Sequence, residues 1–239
     1  MSPSSLGPDE IYYPDSDGQP LGDNDWQFTA ILAAVDTLRV HFAERPDVYV
    51  FGDMFIYYVE GDPEQSVAPD VCVSFGVPNH KRMVYKLWEE GKAPDFVMEV
   101  ASPRTWRDDV GRKRTLYERL GVTEYWRFDP RGEFFQPALQ GLSLDDGRYR
   151  PIAERVRDGR REIPSAVLGL TLRTEKELVR FHDLDRGVDG FGVSRNVCGR
   201  LASSRSESVP GTFGPGCLPG SRNVSGPLVQ AMYKHCTFG

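Results

Sequence analysis

Apolar residues recur at Phe28, Ile31, Leu32, Val35, Leu38 and Phe42. This spacing predicts a helix over residues 26–43, capped by Asp23 or Asp25, with those residues facing a core. RPD then breaks the pattern. Short apolar runs predict strands at 48–51 and 54–59, joined around Gly52 and Asp53, and again at 70–75 and 95–101. A polar loop fills 61–68, and 81–91 is long enough for a short helix or an excursion. Ser102-Pro103 ends the fourth strand, and a helix over 106–120 is closed by Gly121. A strand at 124–128 stops at Asp129-Pro130; strands and turns then alternate through 131–172, with one more strand at 178–181. Strands with interspersed helices predict an α/β or α+β domain over 24–182, preceded by an extended acidic lead-in at 1–23.

From residue 187 onward the pattern vanishes. Ten of the 24 glycines lie there, with many Ser and Arg and two acidic residues, which predicts a disordered or poorly packed tail. The rest of the composition narrows the class. With 239 residues and 39% hydrophobic content the chain can build one core of ordinary size. No apolar run approaches the roughly 20 residues of a membrane helix, and the N-terminus has no secretory pattern. A cytoplasmic protein without a membrane partner is expected. A net charge of −6 means that any nucleic-acid role must rest on a local basic patch. Cys72 reads as a small buried hydrophobe; Cys198, Cys217 and Cys236 with His235 have the wrong spacing for zinc.

Candidate chemistry lies in the carboxylates. No phosphate-cradling glycine motif and no ordered Ser-His-Asp set occurs. Pro69-Asp70 and Pro94-Asp95 each open an apolar strand, and Glu99 sits inside the second, where a charge is costly unless paired or metal-bound. Asp95 and Glu99 share a strand but lie about 13 Å apart at roughly 3.3 Å per residue. If the strands pair antiparallel with Phe75 opposite Pro94, Asp70 falls opposite Glu99, with Cβ atoms about 5 Å apart. Two carboxylates so placed suit Mg²⁺, with the Val100 carbonyl as a third oxygen. A strand-start Asp and an ion-paired Glu explain the same positions equally well.

Lys113 stands within the apolar stripe of Val110, Leu116, Tyr117 and Leu120 and would either serve that site or snorkel to solvent. Arg104, Arg107, Arg112, Arg114 and Arg119 surround it, a surface for a phosphate backbone or a solvated helix face.

The segments APDVCVSFGVP, YKLWEEGKAPDFVMEVASPRT and DDVGRKRTLYERLGVTEYWRFDP together resemble the Uma-type restriction-endonuclease-like family of the PD-(D/E)XK nuclease superfamily, over residues 21–183. The resemblance implies a mixed β-sheet core flanked by helices and a DNA endonuclease dependent on Mg²⁺ (or Mn²⁺). Asp70 and Glu99 then correspond to the metal-binding acids. The superfamily lysine, usually two residues after the second acid, would fall at Ala101, so the following helix supplies Lys113 instead. Asp109 resembles an acid that supports this lysine, and a further acid from the first helix would be Asp36 or Glu44. Trp106 would contact substrate or pack, and Lys92 is the substitute should Lys113 play no part.

Restriction-like nucleases often cut as dimers, which makes a homodimer an expected arrangement. The alternatives are a nuclease fold that only binds or scaffolds nucleic acid, and an enzyme acting on RNA. The tail departs from the family pattern, as a shifted reading frame would produce. Deleting residues 187–239 is expected to leave the melting temperature of the domain essentially unchanged, since the segment has no apolar periodicity with which to pack.

Overall fold

A computed structural model describes residues 11–18 and 22–183; the tail and three of the cysteines (Cys198, Cys217, Cys236) lie outside the described residues. In chain order its elements begin with α1 (Asp25–His41), β1 (Val48–Phe51), β2 (Ile56–Tyr57), β3 (Ser66–Val67), β4 (Val71–Phe75) and β5 (Tyr85–Lys86). Then come α2 (Leu87–Glu90), β6 (Phe96–Val100), α3 (Trp106–Val110), α4 (Arg112–Leu120) and β7 (Glu124–Phe128). The chain closes with β8 (Leu139–Asp145), β9 (Arg148–Pro151), β10 (Arg155–Arg157), β11 (Arg160–Ser165), β12 (Leu170–Glu175) and β13 (Leu178–His182).

The central sheet has six strands in the order β1-β4-β6-β7-β8-β9. Its one parallel pair is β6 with β7, joined by a crossover through α3 and α4; every other pair in it is antiparallel. A four-stranded meander, β10-β11-β12-β13, and a small sheet, β3-β2-β5, complete the mixed α/β architecture. No helix of the described residues is long and apolar enough to cross a membrane.

Side chains alternate across the central strands, and each face builds its own core. Val71, Val73, Phe96, Met98, Val100, Trp126 and Phe128 pack on one face with α1 and the meander. Cys72, Val97 and Tyr125 pack on the other with Leu116 and Tyr117 of α4. Glu99, between Met98 and Val100, therefore belongs to the α4 face.

Helix α1 differs from its predicted orientation. Its buried stripe is Gln27, Ala30, Ile31, Ala34, Val35 and Leu38, while Phe28 and Leu32 are exposed. The small Ala30 and Ala34 let the helix lie close on the sheet, and that rotates the two larger side chains outward. The cap is Asn24, not either flanking aspartate: its side chain accepts the Gln27 N–H at 3.0 Å. The predicted strand over 54–59 shortens to β2, which joins the small sheet rather than pairing with β1. The helix predicted over 106–120 is two helices broken at Gly111, whose φ of −113° and ψ of −94° are not helical. Val110, before the break, is exposed and leaves the predicted stripe.

Two close approaches require glycine. A Cβ on Gly141 would stand 2.9 Å from the indole ring of Trp126. One on Gly52 would collide with the Asp70 carbonyl oxygen, where Asp53 N–H also bonds the Pro69 carbonyl at 2.9 Å.

The meander is tied to the sheet through Glu124, which is 2% exposed. Its Oε2 accepts Trp126 Nε1 at 2.9 Å and Ser165 Oγ at 2.6 Å. Its Oε1 accepts the N–H groups of Ala166 at 2.8 Å and Val167 at 3.1 Å. Glu124→Ala would leave these donors buried without an acceptor and is expected to cost about 3 kcal/mol or more. The check is a lower urea midpoint at unchanged slope.

Candidate active site

Strands β4 and β6 pair with Val71 opposite Met98, Cys72 opposite Val97 and Val73 opposite Phe96. One step further along this register sets Asp70 opposite Glu99, as the antiparallel reading expected. The link is reinforced by the Asp70 side chain, whose Oδ2 accepts the Val100 N–H at 2.7 Å. Gly52 allows the end of β1 to close against the Asp70 backbone, so the start of β4 is held from both sides.

Helix α4 lays its buried face over this corner. Lys113 Nζ donates to Glu99 Oε2 at 2.8 Å and lies 3.0 Å from Asp109 Oδ1. Tyr117, one turn on, donates its hydroxyl to Glu99 Oε1 at 2.6 Å. Glu99 is 1% exposed, Asp109 0% and Lys113 9%, which rules out the snorkelling alternative for the lysine. Asp109 is held in turn by Thr105 Oγ1 at 3.4 Å to its carboxylate and by Tyr125, whose hydroxyl donates to its backbone carbonyl at 2.8 Å.

The cluster holds three carboxylates, Asp70, Glu99 and Asp109, against the single ammonium of Lys113. The imbalance shows in the acidities. Burial, then the charge of Glu99, pushes Asp70 well above the ordinary carboxylate range. Asp70 as a residue keeps partial exposure, yet its carboxyl is enclosed closely enough for burial to dominate. The same two causes raise Asp109 to about 7. Burial works against the Lys113 ammonium, but Glu99 and Asp109 outweigh it and hold its pKa above the usual lysine value.

A divalent cation would relieve this excess of negative charge, and the all-oxygen donor set is the hard type that Mg²⁺ takes. Each carboxylate oxygen carries two acceptor sites, so the bonds from Lys113, Tyr117 and Val100 leave room for a metal at Asp70 and Glu99. No group of three His, Cys, Asp or Glu side chains among the described residues converges as a complete metal site. An ion held by two carboxylates would take the rest of its ligands from backbone oxygen and water. The Val100 carbonyl already accepts Gln27 Nε2 at 2.9 Å, leaving its second lone pair. Gln27 went unnoticed in the sequence because it reads as one more polar residue in the first turn of α1.

Several expected neighbours lie elsewhere. Asp36 and Glu44 are exposed, and α1 packs on the face opposite Glu99, so the helix contributes Gln27 in place of an acid. Asp95 is committed at the far end of β6, accepting Phe75 N–H at 2.8 Å and Lys92 Nζ at 2.7 Å. Lys92 is thereby occupied as well and cannot substitute for Lys113. Of the arginines, Arg104 pairs with Asp23 at 3.3 Å, Arg112 with Asp108 at 3.1 Å and Arg114 with Glu118 at 3.4 Å. Arg107 lies over the Trp106 ring, 4.4 Å from its centroid, and that ring stacks on Phe134. Trp106 is a packing residue in this arrangement.

A family model, Uma2, described as "Putative restriction endonuclease", matches residues 16–175. Among solved structures, the crystal structure of a putative nuclease belonging to DUF820 from Anabaena variabilis is similar at 14% identity and a TM-score of 0.45, covering 61% of this chain and 74% of that one. No curated protein matches.

A carboxyl whose folded pKa is raised binds more protons in the folded than in the unfolded state across the interval between the two values. For Asp109 that interval runs from about 4 to about 7, so stability falls as pH rises through it. Asp109→Asn is expected to flatten this slope. Urea midpoints measured across the interval check it, and an unchanged slope in the variant would assign the titration elsewhere.

Proposed function

The chain belongs to the Uma2 family of putative restriction endonucleases, and from that premise we propose that it is a Mg²⁺-dependent DNA endonuclease in which Asp70, Glu99 and Lys113 do the chemistry. The observation that carries this reading is the meeting of two strand carboxylates with a buried ammonium from a separate helix. A purely structural role would call for charge balance, and here Lys113 is the one cation in direct contact with a cluster of three acids.

Bound between Asp70 and Glu99, with the Val100 carbonyl beside them, Mg²⁺ would polarise the scissile phosphate and lower the pKa of a coordinated water. The protein's own groups have separable tasks. Asp70 is fixed through Oδ2 by the Val100 N–H, so Oδ1 would be the oxygen offered to the metal. Glu99 is oriented by the Tyr117 hydroxyl on one oxygen and Lys113 on the other. Lys113 keeps its proton under the pull of Glu99 and Asp109. A protonated ammonium there can orient the attacking water or stabilise the charge that develops on the phosphoryl oxygens. Asp109 holds the lysine in place from the α3 side of the break. Cutting both strands of a duplex in one event would call for two such sites, which a second copy of the chain could supply.

Plasmid DNA, single-stranded DNA and RNA incubated with Mg²⁺ and with EDTA test the reading. Cleavage of DNA in Mg²⁺ alone is the expected result. DNA binding without cleavage would favour the binding or scaffold alternative, and cleavage of RNA alone would change the substrate. Lys113→Ala is expected to lower the rate about a hundredfold, the effect of one lost transition-state contact of roughly 3 kcal/mol, while Mg²⁺ affinity survives. Lys113→Arg should restore only part of it, because a planar fork does not replace a compact ammonium. A normal rate in Lys113→Ala would remove the lysine from the mechanism.

A further inference from the structure

A second cation stands level with the carboxylate cluster. In the parallel pairing of β6 with β7, Arg127 is the register partner of Glu99, so the two side chains leave the same face of the sheet on neighbouring strands. They form no ion pair; the Glu99 oxygens are met by Lys113 and Tyr117.

Neutral groups hold the guanidinium instead. Gln140, opposite Arg127 on β8, accepts from Nη2 at 2.7 Å. Gln140 is itself turned by its amide nitrogen, which donates to the Pro137 carbonyl at 3.2 Å. The Phe135 ring lies 5.5 Å away on one side. Nε is buried and has no hydrogen-bond partner. The neighbouring arginines at 104, 112 and 114 each have a carboxylate; Arg127 has none among the described residues.

A guanidinium does not shed its proton under ordinary conditions. Setting one partly inside the protein against an amide and a ring leaves a desolvated charge with no carboxylate in direct contact, which is costly without an anion. Burial depresses its pKa and Arg114 works in the same direction, while Tyr125 and Asp109 oppose them. A flat fork with donors unspent, beside a site that would hold a metal, is the geometry that grips two oxygens of one phosphate.

We propose that Arg127 binds a phosphate of the substrate backbone beside the bond that is cut, with Gln140 as its positioning residue. The sequence concealed this because Arg127 lies within a strand, in EYWRF, away from the arginine-rich helix. The proposal rests on the nuclease reading for the identity of the anion, and the experiment separates the two.

Binding of a short fluorescently labelled DNA duplex is measured by anisotropy in Mg²⁺, with Lys113→Ala as parent so that hydrolysis is slow. Adding Arg127→Met is expected to weaken binding at least about tenfold and to lower the salt slope by about one, as loss of a single phosphate contact does. The melting temperature should hold or rise, since a desolvated charge has been removed. Unchanged affinity with a lower melting temperature would overturn the proposal and make Arg127 a packing residue. Gln140→Leu in the otherwise native chain should raise KM while kcat stays near the parent value; an equal fall in kcat with KM unchanged would overturn its positioning role.

Should the parent bind no nucleic acid, the nuclease reading fails on its own. Arg127 is then judged by inorganic phosphate, which should raise the melting temperature over chloride at matched ionic strength in the parent and not in Arg127→Met. Stabilisation of neither, or of both alike, would overturn the anion site.

Discussion

Glu99 is the hinge of the molecule's charge balance. It sits on a sheet face otherwise lined by Val97, Cys72 and Tyr125, where an ionised carboxylate is tolerable only if its oxygens are met. Lys113 and Tyr117 meet them, one turn apart on α4, and these two bonds fix how that helix sits on the sheet. The burial of Lys113 follows from that requirement, and the apolar packing of Leu116 and Tyr117 on the same face supports it. Even the break at Gly111 is part of it, because α3 can then approach at its own angle while Asp109 still reaches the lysine.

Buried carboxylates elsewhere in the domain show what a structural acid looks like here. Glu124 and Asp129 are 2% and 1% exposed, and both are satisfied by neutral donors. Glu124 takes an indole, a hydroxyl and two backbone N–H groups. Asp129 takes the backbone N–H groups of Arg131, Gly132, Phe134 and Phe135. Neither needs a cation. The Asp70 cluster is built the other way: three carboxylates gather around one ammonium, and burial together with the charge of Glu99 raises the pKa of Asp70 and of Asp109. Surplus negative charge, added to burial, is what separates the candidate site from Glu124 and Asp129.

The parts legible in the sequence were those governed by period two. The distance along one strand was enough to drop Asp95 as the partner of Glu99, and on the condition that 70–75 and 95–101 pair antiparallel Asp70 took its place; the observed register has that alignment. What depended on packing between elements was less visible. Phe28 and Leu32 read as core but face outward, because two alanines govern how close α1 can come. Gln27 and Arg127 were missed for a related reason: a polar residue becomes informative only when its surroundings are known to be dry. Asp36 and Glu44 were offered on the resemblance alone, and α1 lies on the wrong face for either.

Ala101 lies two residues beyond Glu99, where the superfamily pattern would put a lysine, and it is 5% exposed. The ammonium reaches Glu99 from fourteen residues downstream on α4. A reaction recognises where a charged head group ends up and is indifferent to the backbone position that delivers it. On the proposed function, a lysine delivered by the helix makes one on the strand unnecessary, and the strand position is free to hold whatever packs. Chains that differ in this placement would keep one chemistry while losing the linear signature by which they are recognised as kin.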